Sequence, residues 1–302
     1  LYHWIFLWAA LAFAWPAWRR WRRPARIALL LLAVAPPGLW YAKNQYQYGF
    51  FGASSWFGIG LFKVLIDAHT YQELVDLRDE GVIPFYVEQR YSYEHDPSDY
   101  IEFGFDETSE IPLLNRDDFH NINMIAIAKG YEEASIRVIR RNPLRYLYAV
   151  YLSYCAYSAP PSRFGHLERN RMQFLGMWEP FVADILYGAL LTDWYKMLTH
   201  VDFGSLYFFY FPFIVAGAAW WTLRRWRGRS LPRERMRAWM MAYALFVVLY
   251  VTAIGCMFEL GENMRFRFAT EPLTLIMTLV LLRATWRRVP VRWKEWLTPR
   301  IR

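Results

Sequence analysis

The chain has only two cysteines, Cys155 and Cys256, in 302 residues. Two thiols set in separate apolar runs cannot build a disulfide framework, and neither has a CxxC or Cys/His partner for zinc. A glycine-rich phosphate loop is missing, as is a G-x-S-x-G elbow, so neither P-loop nor serine-hydrolase chemistry is written in a motif. Internal repeats and low-complexity stretches are absent too. Charge is also missing over long distances: several stretches of 16 to 21 residues hold no Asp, Glu, Lys or Arg. Runs of that length fit a bilayer better than a soluble core. A disordered chain is excluded, because such chains are poor in aromatics and this one is 20% aromatic and 56% hydrophobic.

The apolar runs define five candidate spans, at 1–18, about 27–42, 204–221, 238–258 and about 268–286. The first is not a signal peptide, because its positive cluster follows the apolar run. The second is short, and Pro36-Pro37-Gly38 is expected to kink or end it. In the fifth, Arg283 is placed to snorkel towards the inner headgroups. The sequence opens at Leu1 inside an apolar run, which reads as part of a longer protein.

The net charge of +8 invites a nucleic-acid reading, and its distribution argues against one. Basic blocks at 19–26, 224–237 and 283–302 hold more than half of the 35 Lys and Arg, against two acids, Glu234 and Glu295. The segment 43–203 has the opposite balance, with 22 acids and 14 bases. Positive blocks beside spans mark the cytoplasmic side, and five crossings place all three blocks together. A nucleic-acid surface would form one continuous basic face instead.

The expected fold is therefore an all-α polytopic membrane protein of about five transmembrane helices, with a mixed α/β extracytoplasmic loop region. Residues 1–44 supply two spans, 45–203 the outer loop region, and 204–302 three spans and a cytoplasmic tail. The localisation that follows is the plasma (inner) membrane. Within the loop, 82–93 and 99–105 read as extended segments around His95-Asp96-Pro97-Ser98. A helix is expected from Asn115 through Ile139, ended by Asn142-Pro143, with Gly130 a weak point. Residues 146–159 and 181–200 read as interfacial helices; the alternative, both crossing with 160–180 inside, keeps the same parity.

The loop between the last two spans concentrates charge at the outer boundary: Glu259, Glu262, Asn263, Arg265 and Arg267 lie within nine residues. Charges at such a depth are costly unless paired or functional. One reading is a Glu–Arg network that anchors the loop. The other is an anion site, since arginine forks match phosphate oxygens. Arg265 and Arg267 share a face only on an extended backbone. Lys43-Asn44 leaves the second span on the same side, as a snorkelling anchor or as part of a basic pocket. Asp117-Asp118 reads first as a helix N-terminal pair that complements the dipole. His69, His95 and His120 share no metal-ligand spacing, and no metal or cofactor is expected. Met124 and the Tyr-rich run at 146–157 read as packing or interface residues.

Three stretches resemble the C-terminal part of the GT-C glycosyltransferases, most nearly the protein O-mannosyltransferase-like and aminoarabinose-transferase-like groups. Lys43-Asn44 through Gly49-Phe50, with Ser54-Ser55, resembles the family's RN-x-x-x-x-G exit from a mid-chain span, with Lys in place of Arg. Ala134 through Leu147 is similar to its A-x-x-x-I-x-x-x-P-x-x-Y/F helix. Arg265-Phe266-Arg267-Phe268 through Pro272 resembles R-Y-R-x-P-x-x-P, with Ala269 where the first proline would stand. The resemblance touches the chain from about 40 to 285.

The resemblance implies inverting transfer of a sugar from a polyprenyl-phosphate donor to an extracytoplasmic acceptor, which is a glycan, a lipid or a protein. Membrane lipids are implied as neighbours. Arg265 and Arg267 would contact the donor phosphate with Lys43 as helper, while Glu262, Asn263 and Asn44 support them. The family's catalytic acid lies after its first span, a region with no counterpart here, so no catalytic residue is assigned. On this reading Arg267→Ala cuts turnover at least tenfold and leaves folded protein levels unchanged. The competing readings are a non-enzymatic scaffold or accessory subunit that binds a partner through its outer loop, and a transporter or ligase of lipid-linked substrates. Carriers place polar residues at the midplane, and these spans have almost none.

Overall fold

The structure is a computed structural model that describes residues 22–52, 54–84, 87, 124–160, 185, 187–199, 204–227, 232–259, 266–267 and 269–287. The described residues are mostly helical and contain no strand. Their helices are α1 (Arg23–Tyr48), α2 (Phe57–Ile66), α3 (Tyr71–Asp79), α4 (Met124–Arg141), α5 (Pro143–Ser158), α6 (Ala189–Thr199), α7 (Tyr207–Arg227), α8 (Pro232–Phe258) and α9 (Glu271–Trp286). The fold is thus all-α where it is described. The extended segments expected at 82–93 and 99–105, the start of the Asn115 helix, and the first span at 1–18 fall largely outside the described residues.

Local chemistry explains most boundaries. Pro36 and Pro37 lie inside α1, and the halves Arg23–Leu32 and Val34–Tyr48 meet at 41°. A proline ring collides with the carbonyl four residues back, which for Pro37 is residue 33, at the break. The prolines therefore kink the helix and do not end it; α1 continues past the expected boundary at 44. Gly49 ends it with φ 72°, its N–H donating to the Gln45 carbonyl, as a left-handed C-terminal residue does. Thr70 and Glu73 form a capping box at the start of α3. The corner between α4 and α5 follows the sequence expectation: α4 stops at Arg141, the Asn142 side chain accepts from the Arg145 N–H, and Pro143 opens α5. The expected interfacial segment 146–159 overlaps α5, which starts three residues earlier, and 181–200 contains α6.

Two apolar cores result. One joins α2, α3 and α4 through Phe62, Leu65, Leu74, Ile127 and Tyr131. Close approach makes it possible: a Cβ on Gly58 would overlap the Ala128 carbonyl, and one on Gly60 would lie 2.5 Å from the Phe258 carbonyl oxygen. The other joins α5, α7, α8 and α9 through Tyr157, Phe211, Trp221, Val248 and Met277. Helix α5 and the C-terminal end of α8 touch both α2 and α7, so they link the two cores.

By length and composition, one helix among the described residues can cross a membrane, the Arg233–Phe258 stretch of α8, and a second if the bent α1 is taken as one span. Helix α7 carries Arg224, Arg225 and Arg227 in its last turn and α9 has 16 residues, and neither passes on its own.

Candidate functional site

Arg267 is the largest fully buried side chain in the described structure, at 0% exposure. A buried guanidinium is costly unless its donors and charge are met, and here they are. Nη1 donates to the Tyr157 carbonyl at 2.6 Å and Nη2 to the Ala159 carbonyl at 2.5 Å. These carbonyls lie at the C-terminal end of α5, where helix geometry leaves acceptors without intrahelical partners and where a cation suits the dipole. Nε faces Glu271 Oε1 at 3.3 Å. The guanidinium carbon sits 4.6 Å and 4.5 Å from the ring centres of Tyr187 and Tyr207, within cation–π range. The Tyr187 hydroxyl donates to Glu271 Oε1. Arg267 therefore ties α5, α7 and the start of α9 together.

The sequence reading has Arg267 contact a donor phosphate; the polar contacts of its side chain here are all to protein groups. Its side chain points into a tyrosine cage and not towards a ligand cavity. Its ion-pair partner is Glu271 in the first turn of α9, outside the 259–267 loop. The backbone at Phe266 and Arg267 is helical, so the extended geometry that would let Arg265 and Arg267 share one phosphate is not adopted there. Arg265, Glu262 and Asn263 lie outside the described residues.

Lys43 and Asn44 separate as well. Lys43 is exposed, with Nζ 4.4 Å from the Trp40 ring centre of its own helix, an anchoring arrangement. Asn44 is 4% exposed and donates from Nδ2 to the Gly52 carbonyl at 2.6 Å. It folds the 49–52 turn back onto α1, where Tyr41 and Phe51 meet edge-on with centres 5.3 Å apart.

Beside that turn lies a half-open cleft of about 850 Å³. Gly49, Phe50, Ser54, Ser55 and Trp56 form one wall, Ile125, Lys129 and Glu132 of α4 a second, and Tyr250, Gly255, Phe258, Glu259 and Phe266 a third. Gly49, Phe50, Ser54 and Ser55 of the first family-like stretch and Phe266 of the last thus line one cavity although more than 200 residues separate them. The middle stretch and the helix it opens frame it: the Tyr146 hydroxyl donates to the Met257 carbonyl at 3.0 Å, and Ser153 Oγ, further along α5, to the Glu259 carbonyl at 2.7 Å. Neither Lys43 nor Arg267 lines the cleft. Lys129 and Glu132 do, and the sequence offered no sign of them beyond a polar face on an amphipathic helix.

His69 Nδ1 bonds the Leu65 carbonyl at 2.8 Å in a local helix-end contact. Both cysteines are buried as free thiols. Among the described residues no group of three His, Cys, Asp or Glu is arranged to hold a metal ion. His95, His120 and Asp117-Asp118 lie outside them.

No protein-family model, curated protein or solved structure matches the chain.

Proposed function

We propose that this chain is the donor-phosphate part of an integral-membrane glycosyltransferase that moves a sugar from a polyprenyl-phosphate to an extracytoplasmic acceptor. The single observation that carries the reading is the meeting of Gly49, Phe50, Ser54 and Ser55 with Phe266 at one aromatic-walled cleft. In this reading the chain crosses the membrane five times, with its basic blocks and C-terminus cytoplasmic and the cleft at the outer boundary. Exposed apolar faces support it: Leu275, Ile276, Leu279 and Leu282 of α9 and Phe213 and Trp220 of α7 are each at least half exposed. A soluble monomer rarely leaves such contiguous faces uncovered.

The chemistry suits the cavity. Aromatic and glycine walls admit an isoprenoid chain or a sugar face. Arg265, the neighbour of the cleft-lining Phe266, and Lys129 supply cations for a phosphate leaving group whose charge grows as the glycosidic bond breaks. Arg267 is a positioning residue that braces the segment next to Arg265. The test is crosslinking of a photoreactive polyprenyl phosphate to the protein in membranes. Labelling should be competed by unlabelled polyprenyl phosphate and fall at least tenfold in Arg265→Ala at unchanged protein level. Labelling of the variant equal to the parent refutes the donor site and favours the scaffold reading.

A further inference from the structure

At the opposite end of the α7–α8–α9 bundle is a second cleft, of about 710 Å³, that the proposed transfer reaction does not use. Its walls are apolar, with Trp221, Met240, Ile276, Val280 and Ala284 among them, and its rim carries Arg225, Arg237, Arg283 and Arg287. The α9 wall recurs at 273, 276, 280 and 284, one helical face, and the two arginines at 283 and 287 close the end of it. From Leu273 to Arg287 the wall runs about 21 Å at 1.5 Å per residue, longer than the roughly 15 Å depth of one hydrocarbon leaflet.

Charge separates the rim into two pairs. Arg225 and Arg237 both engage Glu234, at 2.9 and 2.8 Å, and Arg225 also lies 3.7 Å from the Trp221 ring centre. Arg283 and Arg287 are exposed and form no ion pair with an acid among the described residues. The site thus offers a greasy slot of leaflet length that ends in two cations with no acidic partner among the described residues. We propose that it seats one anionic phospholipid of the cytoplasmic leaflet, with an acyl chain along α9 and the headgroup phosphate at Arg283 and Arg287. The proposal rests on the membrane-spanning part of the reading above and not on glycosyl transfer.

Native mass spectrometry of the detergent-extracted protein, with phosphatidylglycerol or phosphatidylcholine of matched chains, tests it. One phosphatidylglycerol should bind in preference to phosphatidylcholine. Arg283→Gln with Arg287→Gln should weaken that adduct about 30-fold, from about 1 kcal/mol per arginine at a membrane surface. Arg224→Gln with Arg227→Gln, in the same basic region but outside the cleft lining, should leave it unchanged. Ile276→Trp, which fills the slot at constant charge, should remove it. Equal binding of the zwitterionic lipid, equal loss in the Arg224/Arg227 pair, or an adduct that survives Ile276→Trp overturns the site. Release of the protein from membranes by alkaline carbonate overturns the membrane reading with it. Retention in the membrane with lipid binding indifferent to Arg283 and Arg287 overturns this site alone.

Discussion

Replacing Arg267 by alanine tests whether the guanidinium is a strut or a ligand-binding group. The variant strands the Tyr157 and Ala159 carbonyls that Arg267 now satisfies at 2.6 and 2.5 Å. An unsatisfied buried acceptor costs about 1–3 kcal/mol. It also removes the cation from Glu271, whose side chain is 30% exposed, and empties the space between Tyr187 and Tyr207. Breaking a buried pair by deleting one partner costs about 3–5 kcal/mol, which is the magnitude expected here. The thermal midpoint should then drop on the order of 10 °C, followed by tryptophan fluorescence in detergent, and folded protein in the membrane should fall with it. Arg267→Lys keeps the charge but cannot fork to two carbonyls, so it should recover part of the loss. An Arg267→Ala protein at normal level, with its midpoint within a degree of the parent, would refute the strut. It would restore the expectation drawn from the sequence that this variant loses turnover alone.

Gly60→Ala should destabilise by about 1–3 kcal/mol through overpacking, because the new methyl meets the Phe258 carbonyl at 2.5 Å; a thermal midpoint equal to the parent's refutes that close approach. Asn44→Ala should cost about 1 kcal/mol and expose the 49–56 segment to limited proteolysis, since the Nδ2 bond to Gly52 holds that turn; an unchanged cleavage rate contradicts it. The capping-box bond from the Thr70 N–H, with the Arg145 guanidinium beside it, holds the Glu73 carboxyl below its usual range. A depressed pKa adds stability that is present above the ordinary carboxylate range and lost as pH falls through the lowered value. With the Glu73 side chain 43% exposed, the Arg145 pair adds less than about 1 kcal/mol. The midpoint difference between the parent and Glu73→Gln should therefore be small at neutral pH and vanish in acid; a difference that grows in acid contradicts the assignment.

Helix ends were the most legible part of the fold. Asn142-Pro143 at the α4–α5 corner is short-range chemistry, so a local pattern was enough to place it; the Thr70–Glu73 box and the Gly49 stop are as local but were not read. The kink in α1 was legible from local chemistry too, though not that the helix would run through it. Arg267 was legible only as a buried charge in need of a partner. Its partners, the carbonyls of Tyr157 and Ala159 and the rings of Tyr187 and Tyr207, lie 60 to 110 residues away in the chain. No periodicity reports such distances. Of the tyrosine-rich run read as packing or interface, Tyr157 is buried near Arg267 while Tyr148 and Tyr151 stay exposed, a difference set by where α7 and α9 come to rest. Lys129 and Glu132 were overlooked because an exposed polar face of a helix looks alike whether it meets water or a cleft.

The sequence by itself determined that this protein is built of helices, that its apolar runs outlast what a small soluble core needs, and where several helices begin and end. These follow from residue type and spacing, which act over a few residues. Only the tertiary structure decided which cation faces a cavity and which one braces the bundle, because desolvation and hydrogen bonding depend on what packs around a side chain. Arg267 and Lys129 are both basic residues, and packing alone makes the first a buried strut and leaves the second on the wall of a cleft.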